Sequence, residues 1–196
     1  QAILKSSYEH PVPEILLAVL EDRDGIFEHE MIEALEPFIL RANALVLGPG
    51  MGTHERSAKL VLEILKRFRI PTVVDADALN ILSQQPPFNL SHCVLTPHPG
   101  ERASLLGLSK QAVQADRYKA VIALSKYYSC VALLKGAPSI VYHDARGYVN
   151  TSVNPYMATA GSGDVLSGMI ASFLAQGQNL VQAAINGVFI HGKAGD

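Results

Sequence analysis

Short β-branched runs alternate along this chain with segments of helical periodicity. From Glu55 to Phe68, Val61, Ile64, Leu65 and Phe68 recur at helical spacing among Lys and Arg positions, which predicts a helix with one face on a sheet. Pro71 resets the backbone, and Thr72-Val73-Val74 reads as a buried strand delivering Asp75-Ala76-Asp77. Ala44 to Leu47 and Cys93 to Thr96 are further strands, running into Gly48-Pro49-Gly50-Met51-Gly52 and Pro97-His98-Pro99-Gly100. Ser109 can cap a helix reaching about Tyr127, and Val131 to Leu134 forms a strand ending at Lys135-Gly136. Ser139 to His143 and Gly147 to Asn150 flank Asp144-Ala145-Arg146 as a hairpin. Ala160-Gly161-Ser162-Gly163-Asp164 then opens a helix whose Leu166, Met169, Ile170, Phe173 and Leu174 share one face. The pattern predicts an α/β fold with a mostly parallel central sheet and helices on both faces. We read residues 1–196 as a single domain, without internal repeat or low-complexity linker.

Composition narrows the picture. With 196 residues, 48% of them hydrophobic and 17% charged, the chain can bury one substantial core. Sixteen basic against 18 acidic residues leave a net charge of -2, which offers polyanions no general field, so nucleic acid is not expected as a partner. No apolar run approaches the roughly 20 residues that cross a bilayer, and no basic start precedes an apolar block, so neither a membrane partner nor a secretory route is expected and the reading is cytoplasmic. Cys93 and Cys130 lie in apolar surroundings and read as buried free thiols, and the seven histidines show no paired zinc spacing. The opening QAILKSSYEHPVPEILL and closing HGKAGD both read as interrupted, which predicts a truncated domain.

The chemistry-bearing residues collect just after strands, where open α/β sheets bind ligands. Gly161, Ser162 and Gly163 can turn backbone N–H groups inward at a helix start, forming an anion hole; the alternative is a tight turn before a packed helix. Asp164 would repel a phosphate there unless a cation or reacting proton compensates it. It either complements the helix dipole or orients and deprotonates a hydroxyl attacking that phosphate. The Gly48 to Gly52 turn lacks dinucleotide-fingerprint spacing and reads as a close ligand approach or a strained turn. Lys135 either reaches nucleotide phosphates or is solvated. His98 and Glu101 share a loop, the first able to bind a substrate amide or phosphate and the second a magnesium-bound water. Asp75, Asp77 and Asn80 form another polar group, with Asn80 expected to cap the Ala78 to Leu82 turn and Asp77 left between capping and phosphate-bound magnesium.

The order LVLGPGMG, VVDADALN, LTPHPGE, LLKGAPSIV and NPYMATAGSGDVLSGMIASFLAQG closely resembles the ADP-dependent NAD(P)H-hydrate dehydratases, a branch of the ribokinase-like superfamily, over about Ala44 to Asp196. The resemblance implies a ribokinase-like fold and a repair lyase returning hydrated NADH or NADPH to the working coenzyme, with ADP (or ATP) as co-substrate and Mg2+. It implies Asp164 as the catalytic carboxylate and as a substrate contact with His98. It implies a further substrate contact from the Gly50 to Gly52 turn, carried by Gly50 or Gly52. Lys135, Gly136, Ala137, Pro138, Ser139 and Gly163 match nucleotide-binding positions, beside Gly161 and Ser162 of the anion hole. Glu101, and by its position Asp77, would face magnesium through water. The HPGE form favours ADP over ATP. A homo-oligomer, plausibly a tetramer, is implied as well. Residues Gln1 to Asn43 resemble the family's variable connecting region. Two other readings share these residues: a superfamily kinase that phosphorylates a vitamin precursor from ATP, and a non-catalytic adenine-nucleotide sensor.

Overall fold

The structure, a computed structural model, describes residue 20, residues 24–152 and residues 159–195. Expectations for residues 1–19 and for the Asn154 to Ala158 part of the NPYMATAG phrase lie outside the described residues.

Among the described residues six strands form one sheet in chain order: β1 (Leu45–Leu47), β2 (Thr72–Val74), β3 (Cys93–Leu95), β4 (Val131–Leu134), β5 (Ser139–His143) and β6 (Arg146–Asn150). β1 to β4 pair in parallel, while β4, β5 and β6 pair antiparallel. The hairpin turns on Asp144 and Ala145, both at positive φ, the two-residue geometry that matches strand twist.

Side-chain alternation divides the core between the two faces. Val73, Val94, Val131, Leu133 and Val141 point to one face, where they meet Leu166, Ile170 and Leu174 of α7 (Ser162–Ala175) and Ala183, Ala184 and Val188 of α8 (Leu180–Ala194). Val74, Leu95, Ala132, Leu134, Ile140 and Tyr142 point to the other. That face is covered by α1 (Ile32–Ile39), α2 (Glu55–Arg67), α3 (Asp77–Leu82) and α6 (Arg117–Tyr128), with Leu105 of α4 (Pro99–Leu105) at its margin. The central strands β2, β3 and β4 are therefore buried at every position, and apolar at all but Thr72, the mark of a sheet covered on both sides.

Several boundaries differ from the periodicity. The helix expected from Ser109 to Tyr127 is two: α5 (Lys110–Ala115), capped by Ser109 Oγ accepting from Ala112 N–H, and α6, restarted by Asp116, whose Oδ1 accepts from Lys119 N–H. The carboxylate offers the backbone a fresh N-cap, and that competes with continuing the helix. Asn80 does not cap its turn; Ala76 occupies the cap position of α3 at φ 48, and Asn80 lies inside the helix. His98 and Glu101 do not share a loop but begin α4.

Candidate functional site

The parallel strands finish on one edge, and a buried carboxylate organises the loops there. Asp75 follows β2 and is 1% exposed. Its Oδ1 accepts from Lys135 Nζ at 2.7 Å and from Ala76 N–H at 2.9 Å, while Oδ2 accepts from Ser167 Oγ at 2.7 Å. Three elements distant in sequence thus meet at one side chain: the end of β2, the end of β4 and the second turn of α7. Lys135 has little choice of direction, since a half-buried ammonium is held where a carboxylate neutralises it. Its backbone N–H donates to Pro97 O at 2.9 Å, fixing the Lys135–Ser139 segment to the loop before α4. Arg117 reinforces that segment from behind, donating from Nη2 to Pro138 O at 2.7 Å and Lys135 O at 3.3 Å.

Lys135 lies beneath the start of α7. A Cβ placed on Gly163 would stand 3.3 Å from Lys135 Nζ and 3.8 Å from Asp75 Oδ2, so the missing side chain is what lets helix and ammonium approach. Gly161 caps α7 at φ 84, and the first intrahelical bond runs from Val165 N–H to Gly161 O. The N–H groups of Gly163 and Asp164 therefore have no acceptor within the helix. Backbone donors, the helix dipole and a lysine charge thus lie close together at the start of α7, a combination suited to a phosphate. Asp164 is exposed in this first turn. From α8, His191 Nε2 lies 3.0 Å from Ser162 O, a distance at which its N–H donates and ties the helix start down. Burial holds the His191 pKa below its ordinary value, outweighing that bond.

His98 and Glu101 cap α4 reciprocally. His98 Nδ1 accepts from Gly100 N–H at 2.9 Å and Glu101 N–H at 3.2 Å, so a neutral ring carries its proton on Nε2. Glu101 Oε2 accepts from His98 N–H at 2.8 Å. Burial pushes the Glu101 carboxyl above its ordinary pKa, against the His98 N–H bond and the positive charge of Lys135, with Asp75 adding to the rise. Those effects place Glu101 in the same electrostatic cluster as Lys135 and Asp75.

On the other side, Gly48 to Gly52 is a turn pinned to the end of β2. Gly48 sits at φ 125, where a Cβ would overlap the carbonyl oxygen of Asp75, so only glycine fits. Gly52 N–H donates to Asp77 Oδ2 at 2.9 Å. The two carboxylates expected to share magnesium duty therefore have different partners: Glu101 belongs with His98 and Lys135, Asp77 with the Gly52 turn. Gly50, at φ 69, stands at the open end of that turn. Ser139 Oγ donates to Gly136 O at 3.0 Å and begins β5.

The periodicity missed the roles of Asp75, Ser167, His191 and Arg117. Ser167 had a visible signal, a small polar residue between Leu166 and Ile170 on an otherwise apolar helix face. Arg117 and His191 had none. Cys93 and Cys130 are buried and unpaired as expected; burial pushes the Cys93 thiol up to about 12, and that of Cys130 up as well.

This sheet, with its glycine-initiated helix and strand-end lysine, defines an α/β protein of the ribokinase-like class. A ribokinase-like superfamily protein from Enterococcus faecalis superposes with a TM-score of 0.73 at 26% identity, covering 84% of this chain and 58% of that one. Residues 7–196 match the family described as NAD(P)H-hydrate dehydratase, and the chain belongs to that family. An ADP-dependent (S)-NAD(P)H-hydrate dehydratase from Neisseria meningitidis is 45% identical over 161 residues, 79% of this chain and 54% of that protein. A bifunctional NAD(P)H-hydrate repair enzyme from Moorella thermoacetica is 42% identical over 171 residues, 84% of this chain and 32% of that protein. An ADP/ATP-dependent NAD(P)H-hydrate dehydratase from Bacillus subtilis, co-crystallised with ATP and Mg2+, has a TM-score of 0.68 at 25% identity, covering 84% of this chain and 64% of that one. The chain spans about a third of the bifunctional relatives' length and about half of the Neisseria protein's. Among the described residues no helix is long and apolar enough to cross a membrane.

Proposed function

We propose that this chain carries the site for nucleotide-dependent dehydration of hydrated NADH or NADPH, with ADP as phosphoryl donor and NAD(P)H, AMP and phosphate as products. The observation that carries the reading is Lys135: its ammonium is held by Asp75 beside Gly163, in the turn that opens α7. The named activities of the Neisseria and Bacillus relatives support the donor and the substrate.

In this reading Lys135 to Ser139, with Gly161, Ser162 and Gly163, hold the nucleotide, and the outer phosphate of ADP rests on the α7 N–H groups. Gly50, Gly52 and the exposed Nε2 side of His98 face the hydrated coenzyme. Asp164 takes the proton of the ring hydroxyl as its oxygen attacks the outer phosphorus and AMP departs. The ring-nitrogen lone pair then expels phosphate, a far better leaving group than hydroxide, to give an iminium, and loss of a proton from the adjacent ring carbon restores the ring double bond. Positioning accounts for the remainder, because a pre-placed ammonium and amides stabilise the transferring charge without reorganising.

Magnesium fits Glu101: a carboxylate 11% exposed at its side chain, whose proton burial favours, gains from a divalent cation beside it. When bound to the diphosphate, magnesium would neutralise its charge, with Glu101 holding it through water and Asp77 facing it from the Gly52 turn. We further propose one domain for the chain and a symmetric assembly of it, read by light scattering.

Supplying hydrated NADPH with ADP tests the reading. Dihydronicotinamide absorbance should return together with equal amounts of AMP and phosphate. A stable phosphorylated product would identify a kinase, and nucleotide binding without turnover a sensor; either result overturns the dehydratase.

A further inference from the structure

The turn proposed to receive the outer phosphate of ADP has little of its own to hold it. Gly161 caps α7 at φ 84 with no side chain to accept from the first turn, and Gly163 follows within that turn. Glycines leave the backbone free to rotate, so the peptide joining Ser162 to Gly163 can turn over at little steric cost. Turned over, it would withdraw the Gly163 N–H and present the Ser162 carbonyl oxygen, exchanging attraction of a phosphate for repulsion. The C=O and N–H of a trans peptide share one plane and point opposite ways, so whatever grips the carbonyl fixes the N–H as well.

His191 grips that carbonyl. Its Nε2 lies 3.0 Å from Ser162 O and 3.3 Å from Ser162 Oγ. Burial holds the ring below its ordinary pKa of 6.5, so at neutral pH it is uncharged and, with Nε2 donating, bears no proton on Nδ1. The packing of α8 sets where this ring stands. A Cβ on Gly187 would overlap Ile170 Cγ1, so glycine there lets α8 lie close against α7. A Cβ on Gly192 would overlap Ser152 Oγ, and Asn150 Nδ2 donates to Val188 O at 3.2 Å, so the end of β6 fastens the turn of α8 that carries His191.

A hydrogen bond received at the carbonyl also polarises the peptide and strengthens its N–H as a donor. We propose that His191 is a positioning residue for the nucleotide phosphate: by donating from Nε2 to Ser162 O, it locks the Ser162–Gly163 peptide with the Gly163 N–H free for the outer phosphate of ADP. The inference rests on the nucleotide site proposed above and adds to it a residue that acts through the backbone. Preorganisation of this kind spares the site the cost of turning a dipole when charge arrives.

The test measures ADP binding by calorimetry in the wild type, His191→Gln, His191→Asn and His191→Leu, at about pH 8, where the ring is neutral. The amide nitrogen of Gln stands where Nε2 does, whereas that of Asn stops at the place of Nδ1. His191→Gln should therefore stay within about twofold of the wild-type Kd, while His191→Asn and His191→Leu should bind about tenfold more weakly, the net worth of one hydrogen bond. On saturation with ADP, the Gly163 amide proton should move downfield in the wild type and His191→Gln but not in His191→Leu. Wild-type affinity in His191→Leu, or equal affinities in His191→Gln and His191→Asn, overturns the role. The second comparison holds even if His191→Leu does not fold. Nitrogen NMR of the wild-type imidazole needs no variant: the proton is expected on Nε2, and a proton on Nδ1 refutes the proposal. A wild type that binds no ADP overturns the nucleotide site and this role with it, whereas ADP binding that ignores His191 overturns the role alone.

Discussion

Replacing Asp75 with alanine should be among the most damaging single changes outside the apolar core. The change removes three acceptor contacts at once. It strands Lys135 Nζ, whose side chain is 20% exposed, and the hydroxyl of Ser167, which is fully buried. Breaking a buried ion pair by removing one partner costs about 3–5 kcal/mol, and partial solvation of Lys135 keeps this site at the lower end. The orphaned Ser167 hydroxyl adds about 1 kcal/mol, giving an expected loss of about 4 kcal/mol from a total near 5–15 kcal/mol. Asp75→Asn, which keeps the shape and one acceptor, should lose roughly half of that. Urea denaturation with an unchanged slope reads both values. Asp75→Leu combined with Lys135→Met should be more stable than Asp75→Leu alone, because no charge is left unpaired. In Asp75→Asn the loosened ammonium should also weaken AMP binding about tenfold, roughly 1.4 kcal/mol. A loss below about 1 kcal/mol in Asp75→Ala with AMP affinity intact would refute the argument that this carboxylate aims Lys135.

Three further outcomes follow from the same geometry. Asp164→Asn should leave nucleotide affinity largely intact while turnover falls by about 10² or more, as loss of a proton acceptor does; equal rates in steady-state assays would remove Asp164 from the mechanism. Glu101 is raised in the folded state, so the proton it holds there favours folding at acid pH, and that contribution fades as pH rises from the ordinary carboxylate value through the raised one. Wild-type stability relative to Glu101→Gln should therefore decline over that window, as read by urea midpoints in a pH series, and parallel curves would contradict the burial of this group. His191 is depressed, so its share of stability is whole above about pH 6.5 and is lost as pH falls through the folded value; His191→Gln should flatten that acid limb in the same series.

What the sequence conveyed best was whatever depends on local periodicity. The strands at Thr72, Cys93 and Val131 and the helix after Gly161 follow from apolar runs and a glycine start, and each lies within a residue of its expected place. The break at Asp116 escaped because its capping bond competes with an unbroken helical pattern, and propensity does not decide such a contest. At the site, Lys135 and the Gly161 to Gly163 turn were visible because strand ends and glycine clusters are written in one short phrase each. The union of Asp75 with Lys135 and Ser167 was not, since those residues are 60 and 92 positions apart and only the sheet order makes them neighbours. Asp77 likewise has a partner no local phrase discloses: its Oδ2 accepts from Gly52 N–H, 25 positions away.

In the proposed reading, the arrangement around Asp75 would let the edge bind a highly charged ligand without a large positive field. The chain has a net charge of -2, and its strand-end lysine is already neutralised by a carboxylate. A diphosphate approaching α7 therefore meets oriented dipoles first and a lysine charge that is short-ranged because Asp75 offsets it at distance. Bulk attraction is weak, and selectivity rests on geometry: only a group small enough to reach the N–H donors of Gly163 and Asp164 comes close enough to Lys135 Nζ to feel it unscreened. Specificity for a terminal phosphate, as opposed to general affinity for anions, is the property a phosphoryl-transfer site needs. A steep fall of AMP or ADP affinity with ionic strength, of the kind that bulk steering produces, would contradict this account, whereas a shallow salt dependence in calorimetric titrations is the expected result.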